Sequence, residues 1–329
     1  MDQLGVGVIG CGNMGGALAR ACARLPAARI VAVSDPVKER AEALAGELGA
    51  SSFDSTDGLL HTRHVDAVIV ASPGFLHEEH AVQAASAGKH VFCEKPMALS
   101  VASCDRMITE ASAHHVKLMV GQVLRYVPLF AQIKELVRDT LGQPVSMQIT
   151  RISEDWGVPS PWRFRKDQSG GILYEVSVHE LDFMRYVAGD VDQVAAYAGQ
   201  SVRTSADYED SIQVLVHFGG GGHGSLFASR AASMGAYHGT LLCVHGTLFL
   251  DSAKGELRYR VFDDQEVVLG PQDMPTEPPI ERELRYFVEC VLNDTTPAIP
   301  GEEGRKAVQI IEAAYLSAQE GRMIRVPAL

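Results

Sequence analysis

The sequence predicts an α/β protein with an N-terminal doubly wound parallel sheet and a C-terminal α+β domain that has a large, mostly antiparallel open sheet. Short apolar runs alternate with helical patterns from residue 4 to about residue 122, which is the order of a parallel sheet with crossover helices. Beyond that point, apolar and polar residues alternate in several segments, as in strands with one solvated face. We therefore expect a first domain at 1–122 and a second at 123–329, with the C-terminal helix packing back near the first.

The composition is that of an ordinary globular protein, with 46% hydrophobic and 21% charged residues in 329. The formal net charge of −12 comes without a long basic run, which argues against nucleic acid and anionic membranes as partners. The six cysteines are scattered and form no C-x-x-C pair, so neither a zinc knuckle nor a disulfide framework is indicated. We expect a cytoplasmic protein.

The first element is a strand followed by a glycine turn and a helix. Leu4 to Ile9 is an apolar run, and Gly10, Gly12 and Gly15 then form a G-x-G-x-x-G pattern that opens a helical segment. In this context the pattern predicts a dinucleotide site. The first glycine allows the tight turn, the second lets the backbone approach a pyrophosphate, and the third lets the helix pack closely on the strand. The N–H groups at the helix start would face the phosphates.

A second apolar run ends at Asp35, twenty residues after Gly15. An acid at this position can bind the ribose hydroxyls of NAD and repel the extra phosphate of NADP. No arginine directly follows Asp35, and Lys38 is the nearest cation in the sequence. The alternative is that the glycines form an ordinary loop and that Asp35 lies on the surface.

The remaining patterns continue these two architectures. In the first domain they predict helices at 37–48, 77–87 and 100–114, and strands at 65–71, 90–93 and 118–120. In the second domain they predict helices at 127–137 and 302–320, and strands at 145–149, 193–197, 211–218, 225–229 and 240–244. The glycine run 219–222 predicts a hairpin turn between two of these strands.

Lys95 follows the predicted strand 90–93. Open α/β sheets bind ligands at the carboxyl ends of their strands, where a lysine can polarise a carbonyl or stabilise a developing alkoxide. A solvated surface lysine is the alternative.

A second dense stretch runs from Gly170 to Asp182, with a helix expected to begin near Leu173. Glu175 and His179 are four residues apart, so they would share one face of that helix. An imidazole beside a carboxylate can act as a general base near neutral pH, because the carboxylate fixes the tautomer and supports the charged form. The alternative is an ordinary salt bridge on a helix surface.

The histidines give little support to a metal site. His77 and His80 are three residues apart, whereas the zinc motif H-E-x-x-H requires a spacing of four. We therefore predict no metal. Trp162, in a loop before the Gly170 stretch, is either a core residue or part of the mouth of a binding site.

Six segments together resemble the glucose-fructose oxidoreductase and inositol dehydrogenase family (Gfo/Idh/MocA), and they extend over most of the chain. The matching segments are Gly10–Gly15, Ser72–His77, Ala87–Pro96, Arg125–Pro128, Trp162–Arg163 and Gly170–Asp182. The combination of Glu-Lys-Pro with G-G-x-x-x-acid-x-x-x-H is the most specific part of the resemblance.

The resemblance implies a Rossmann domain that binds a nicotinamide cofactor, here NAD. Besides the three glycines and Asp35, the implied cofactor contacts are Asn13, Met14, Ser72, Pro73, His77, Glu94, Lys95 and Gln122. The implied substrate contacts are Lys95, Arg125, Trp162, Arg163, Glu175 and His179. Lys95, Glu175 and His179 would be catalytic; the family usually carries an aspartate where this chain has Glu175.

We therefore expect an NAD-dependent dehydrogenase that oxidises a secondary hydroxyl of a sugar, a cyclitol or a related polyol. His179 would be the general base, and Lys95 would stabilise the oxyanion. Two alternatives stay open: a keto-sugar reductase working in the reverse direction, and a non-catalytic NAD-binding regulator. The resemblance also implies a homo-oligomer, dimer or tetramer, formed through the open face of the C-terminal sheet.

Overall fold

The computed structural model describes residues 3–154, 160–200 and 205–327. The chain divides into two compact units, one formed by 1–123 with 277–306 and the other by 124–276 with 307–329. The first break lies within one or two residues of the predicted boundary. The structure corrects the prediction in one respect, because 277–306 belongs to the first unit although it lies in the C-terminal third of the sequence.

The first unit contains a six-stranded parallel sheet in the order β3-β2-β1-β4-β5-β6. Its strands are β1 Leu4–Ile9, β2 Ala28–Ser34, β3 Ser51–Phe53, β4 Ala67–Val70, β5 His90–Glu94 and β6 Leu118–Gly121. β1 and β4 are buried along their whole length, as expected when helices cover both faces of a parallel sheet. The predicted doubly wound sheet is confirmed.

Three helices of this unit begin and end close to the predicted residues: α2 Lys38–Leu48, α4 His77–Ser86 and α5 Val101–Ala113. A fourth, α1 Asn13–Ala23, follows the glycine turn as predicted, whereas the short α3 Thr56–Leu60 had no counterpart in the prediction. Ser100 caps α5 by accepting a hydrogen bond from the backbone N–H of Ser103 at 3.0 Å. Gly49 ends α2 in the left-handed conformation, with φ of 66°.

The segment 277–306 contains helix α9, Pro279–Leu292, and the beginning of α10, Gly301–Glu320. Phe287 of α9 packs edge to face on Phe92 of β5, with ring centroids 5.7 Å apart. The backbone of Ile299 also accepts a hydrogen bond from Val120 of β6. Periodicity can reveal an amphipathic helix, but it does not identify the sheet that the apolar face covers, so sequence reasoning left this segment in the wrong unit.

The second unit is built on a nine-stranded sheet in the order β14-β13-β12-β11-β7-β10-β9-β8-β15. Its strands are β7 Pro144–Ile152, β8 Val191–Gly199, β9 Ser211–Phe218, β10 His223–Ser229, β11 Ala236–Cys243, β12 Gly246–Asp251, β13 Glu256–Val261, β14 Val267–Leu269 and β15 Ile324–Arg325. Only β7 and β10 pair in parallel, so the predicted mostly antiparallel sheet is confirmed. The glycine turn 219–222 joins the antiparallel pair β9 and β10, as predicted.

Strands β12 to β14 had no counterpart in the prediction. β13 and β14 are mostly half-buried or exposed, so these strands lack the clean apolar face on which sequence patterns depend. The helices of this unit are α6 Pro128–Leu136, the short α7 Lys166–Ser169, α8 Val178–Ala188 and the remainder of α10.

One face of the nine-stranded sheet is packed and the other is open. Met147, Val214 and Leu226 are buried on the packed side, and α8 contacts β7 and β10. The opposite face carries Leu215 and Phe249, which are 52% and 42% exposed.

Within the described ranges, no helix combines the length and the apolar character that a membrane span requires. All six cysteines are free thiols.

Candidate active site

The glycine turn after β1 has three glycines with three different surroundings. Gly10 has φ of 96°, and a Cβ on it would lie 2.7 Å from the carbonyl oxygen of Ala71. A Cβ on Gly15 would lie 1.8 Å from the carbonyl oxygen of Gly10, so α1 packs against the turn at a distance that only glycine permits. A Cβ on Gly12 would meet nothing within 4 Å. The space beside Gly12 is therefore open.

This open space lies at the beginning of α1. Gly12 is the N-cap residue and provides no side-chain hydrogen bond to the helix, while Asn13 and Met14 are exposed. Helix N-termini leave backbone N–H groups that bind anions well. The turn therefore fits a pyrophosphate, which would fill the volume that a Cβ on Gly12 would take.

Asp35 is buried at the end of β2 and its carboxylate reaches back to the turn. One oxygen accepts a hydrogen bond from the backbone N–H of Cys11 at 2.8 Å, and the other accepts from Val37 at 2.9 Å. Burial, together with the charge of Asp35, raises the pKa of the Cys11 thiol to about 12. Asp35 is thus held in place beside the glycine turn by the backbone itself.

Two cations follow Asp35 in α2, Lys38 and Arg40, and sequence reasoning missed the second. Lys38 forms an exposed ion pair with Glu42, with its Nζ 3.5 Å from a carboxylate oxygen. Arg40 also acts on this region, because its charge lowers the pKa of Cys11 against the larger effects of burial and Asp35. Arg40 lies five residues after Asp35, in α2.

His77 is buried, and its ring nitrogens are committed to two neighbouring loops. Nδ1 lies 2.7 Å from the carbonyl oxygen of Pro96, and Nε2 lies 2.8 Å from that of Ser72. Burial lowers the pKa of His77 to about 4 despite these two acceptors. The His77 ring joins the loop after β4 to the loop after β5, and its contact with the cofactor stays a prediction. Ser72 itself is half-buried, and its hydroxyl lies 2.8 Å from Nδ1 of His80.

The predicted cofactor residues of this unit share a position in the fold, because they follow the carboxyl ends of parallel strands. Glu94 ends β5 and is buried, which raises the pKa of its carboxyl group. One of its oxygens accepts a hydrogen bond from the backbone N–H of Lys95 at 3.0 Å. Lys95 is half-buried, and Gln122, just after β6, is fully buried. The sites after β1, β2, β4, β5 and β6 therefore occupy one edge of the sheet, where such sheets bind ligands.

In the second unit, the segment with Glu175 and His179 begins at two glycines. Gly170 and Gly171 have φ of 79° and 96°. A π-helical turn, Leu173–Ser177, follows and leads directly into α8. The prediction assumed α-helical spacing from Leu173, so it is wrong for the turn that contains Glu175. Wider turns of this kind change which side chains share a face, and they occur frequently at functional sites.

Glu175 is buried in this π-helical turn and forms an ion pair with Arg163. The distance from Arg163 Nη1 to the nearer carboxylate oxygen is 2.9 Å. Arg163 lies in the short 3₁₀ turn Pro161–Phe164, and its guanidinium is 5.1 Å from the ring centre of the half-buried Trp162. Two predicted substrate residues are therefore brought together with Glu175 in one unit.

Arg125 is paired with a buried carboxylate of α8. Its guanidinium makes two hydrogen bonds to Asp182, at 2.7 and 2.6 Å. Both side chains are buried, and the guanidinium also lies 4.5 Å from the centre of the Tyr186 ring. The ion pair anchors α8, since a buried carboxylate requires its cation, and the contact of Arg125 with substrate stays a prediction.

Sequence reasoning gave no role to the residues that support the Arg163 turn. The Tyr208 hydroxyl donates to the carbonyl oxygen of Arg163 at 2.9 Å and accepts from the buried guanidinium of Arg230. These residues are distant in the chain and carry no motif.

The described part of the chain contains no cluster of three or more His, Cys, Asp or Glu side chains that could hold a metal ion.

Comparison with known proteins agrees with this arrangement. A family model described as an oxidoreductase family with an NAD-binding Rossmann fold matches residues 4–122. The model of the GFO/IDH/MocA C-terminal domain matches residues 130–249.

Relatives are similar over the whole length. The myo-inositol 2-dehydrogenase of Thermotoga maritima is 30% identical, with 98% of each chain covered. The scyllo-inositol 2-dehydrogenase (NAD(+)) of Bacillus subtilis is 29% identical over 98% of this chain and 97% of its own. Levoglucosan dehydrogenase, solved in complex with NADH, superposes with a TM-score of 0.91 at 23% identity and full coverage of both chains, and this likeness concerns the fold. The first unit is an NAD-binding Rossmann domain, and the chain belongs to the Gfo/Idh/MocA family of oxidoreductases.

Proposed function

We propose that this protein is an NAD-dependent dehydrogenase that oxidises a secondary hydroxyl of a sugar, a cyclitol or a related polyol. Support for the substrate class comes from the two inositol dehydrogenases, which are similar to this chain over nearly all of its length. The preference for NAD over NADP is supported by the buried carboxylate of Asp35 beside the glycine turn.

The observation that carries the catalytic part concerns His179. From Gly171 to Ala188 every residue is buried except His179 and Tyr186. Tyr186 lies beneath the guanidinium of Arg125, whereas His179 occupies the first turn of α8. His179 is thus a partly exposed imidazole in an otherwise buried segment, which supports its proposed role as the general base.

In the proposed mechanism, the imidazole of His179 removes the hydroxyl proton of the substrate. The ammonium group of Lys95 stabilises the negative charge that develops on the same oxygen. When bound at the glycine turn, NAD supplies the hydride acceptor. Glu175, with its charge balanced by Arg163, supports His179 or contacts a substrate hydroxyl.

Two other functions use the same cofactor unit. A keto-sugar reductase would run the same steps in reverse, with His179 as the proton donor. A non-catalytic NAD-binding regulator would need neither Lys95 nor His179. Turnover of any polyol with NAD separates the enzyme from the regulator.

The test is a panel of cyclitols, aldoses and glycosides with NAD and NADP, followed by absorbance of the reduced cofactor. With an active substrate, His179→Ala should lower kcat by about a hundredfold or more, because it removes the base. Lys95→Ala should have a comparably large effect. NAD affinity, measured by fluorescence titration, should stay close to that of the wild type in the histidine variant.

Two surface residues provide matched controls. His114 forms an exposed pair with Glu110, and Lys254 forms an exposed pair with Asp251. Alanine at either position should leave kcat unchanged. Full activity in both His179→Ala and Lys95→Ala would show that neither residue takes part in proton transfer.

We further propose that copies of the chain associate through the open face of the nine-stranded sheet. Cross-strand pairing through Ser225, Gln148 and Thr240 places Leu215 and Phe249 in one row across this face. Both are exposed, and large exposed apolar patches mark association surfaces. Light scattering of the purified protein should show the mass of a dimer or tetramer. Leu215→Lys should lower the measured mass toward that of the monomer. Six free thiols fit the cytoplasm that we propose as its compartment.

A further inference from the structure

The start of the segment that carries Glu175 and His179 is closed by side chains from distant parts of the second unit. Oε1 of Glu209 accepts a hydrogen bond from the backbone N–H of Ile172 at 3.0 Å. The Tyr315 hydroxyl accepts from the backbone N–H of Leu173 at 3.1 Å and itself donates to Oε1 of Glu209. The first N–H groups of a helical segment have no partner within the helix, and here two of them are satisfied from outside.

The two glycines before this segment make room for the cap. A Cβ on Gly171 would lie 2.4 Å from the Tyr315 hydroxyl and 2.6 Å from Oε1 of Glu209. Any larger residue would displace the carboxylate and the phenol from the backbone that they bind. The conformation of Gly171 and the position of Glu209 are therefore coupled.

The charges around the cap determine that Tyr315 donates its hydroxyl proton to Glu209 and that Glu209 accepts. Glu209 is buried, and its second oxygen lies 3.0 Å from Nζ of Lys166. Burial and the nearby carboxylate raise the pKa of Tyr315 well above its usual range, so the phenol stays protonated and donates to Glu209. The Tyr174 ring stacks on the Tyr315 ring, with centroids 6.1 Å apart, which links α10 to the π-helical turn that contains Glu175.

We propose that Glu209 and Tyr315 are positioning residues for the reaction: they cap the segment that begins at Ile172 and thereby set the placement of Glu175 and His179. This inference rests on the proposed function, in which His179 is the base. Neither residue needs to contact substrate. A small displacement of a reacting group can reduce the rate substantially, whereas the affinity for substrate depends on other contacts.

The test combines kinetics with hydrogen exchange on the full-length enzyme. Glu209→Ala should lower kcat by about tenfold to a hundredfold while changing KM less than about twofold. Glu209→Gln keeps an acceptor for Ile172 and should restore kcat to within about threefold of the wild type. Tyr315→Phe removes only the hydroxyl and should give a loss of about threefold to tenfold. Amide exchange at 172–176 should accelerate in the alanine and phenylalanine variants.

Ser317→Ala is the matched control. Ser317 lies on α10 like Tyr315, is buried, and accepts a hydrogen bond from the backbone N–H of Ala196 of β8 at 3.0 Å. Its loss should lower the melting temperature without changing kcat or the exchange at 172–176, because it holds a strand rather than the catalytic segment.

Each outcome is informative. A lower melting temperature with unchanged kcat in both Glu209→Ala and Tyr315→Phe would overturn the proposal and leave these residues a purely structural role. If Glu209→Ala does not fold, the glutamine and phenylalanine variants decide the question. If the wild type oxidises no polyol, the proposed function fails, but the proposed cap can still be tested. Unchanged amide exchange at 172–176 in the variants would then show that Glu209 and Tyr315 do not hold this segment.

Discussion

The turn at Gly10–Gly15 and the turn at Gly170–Gly171 both lead into a helical segment, but they differ in what lies beside the backbone N–H groups. Each contains at least one glycine with positive φ before a helical segment, Gly10 in the first and both glycines in the second, and each leaves backbone N–H groups at the beginning of that segment. Beside Gly12 the space is open, whereas beside Gly171 it is occupied by Glu209 and Tyr315. We propose that the N–H groups of the first turn bind the phosphates of the cofactor, whereas those of the second bind the Glu209 carboxylate and the Tyr315 hydroxyl. What fills the space decides whether such a turn binds a ligand or holds a residue.

Alanine substitutions should separate the two turns most strongly. Gly171→Ala places a Cβ into Tyr315 and Glu209 and should lower the free energy of unfolding by about 3 kcal/mol or more. Gly12→Ala meets nothing in the protein, so its unfolding should match the wild type while its affinity for NAD falls by about tenfold or more. Urea unfolding and NAD titration measure the two effects. Equal loss of stability in both variants would contradict the comparison.

The loop beside the first turn should make the stability of the protein depend on pH. The folded-state pKa of His77 is about 4, against an ordinary value of 6.5. Between these values the unfolded chain binds a proton that the folded chain does not, so stability is complete above pH 6.5 and falls as the pH drops toward 4. The difference corresponds to a loss of up to ~3 kcal/mol.

His77→Gln is the matched control for this effect, because its amide group can donate to both carbonyls but does not titrate. Its unfolding free energy should vary less than that of the wild type between pH 6.5 and 4. An NMR titration that shows His77 protonated above pH 6 would mean that the two carbonyl acceptors outweigh burial.

The preference for NAD over NADP tests the first turn, where the carboxylate of Asp35 lies beside the proposed phosphate site. We expect the wild type to prefer NAD by kcat/KM, and Asp35→Ser should shift the ratio toward NADP by about tenfold or more. The charge of Arg40 acts on Cys11 beside Asp35 and would attract a 2′-phosphate, so adding Arg40→Ala should reverse part of the shift. A wild-type enzyme that prefers NADP would refute the role given to Asp35.

The smallest effect on kcat is expected at Glu175, which follows the second turn and lies one turn before the proposed base His179. If Glu175 orients His179, Glu175→Gln should lower kcat by about fivefold, shift the acid limb of the pH profile and leave KM unchanged. If Glu175 binds substrate, KM should rise instead. Arg163→Met removes the ion pair with Glu175 from the other side and serves as the comparison. It should show the same loss of kcat as Glu175→Gln only if the ion pair positions Glu175 beside His179.

The two turns also differ in how far the sequence predicts them. The first is local: glycines, strand and helix lie within about twenty residues, and Asp35 follows at the expected spacing. The second depends on Glu209 and Tyr315, which meet it only after the chain has folded. Predicting them would require knowledge of the sheet register, which no local pattern contains.

Two details at the level of single residues have the same origin. The motif that contains Arg125 does not reveal its partner Asp182, which is 57 residues away. The spacing of Glu175 and His179 suggested one α-helical face, and the π-helical turn at Leu173–Ser177 changes that face. Periodicity assumes regular geometry, so it fails where the backbone departs from it.

The edges of the two sheets determine how the protein avoids aggregation. The outer strands β3, β14 and β15 are only three, three and two residues long, which offers a neighbouring chain few unpaired backbone groups. The remaining edge, β6, is covered where Met119 forms a bridge to Pro300. Sheets blunted in this way resist strand-by-strand growth. We therefore expect no ribbon of added strands to extend from either sheet, even at high concentration.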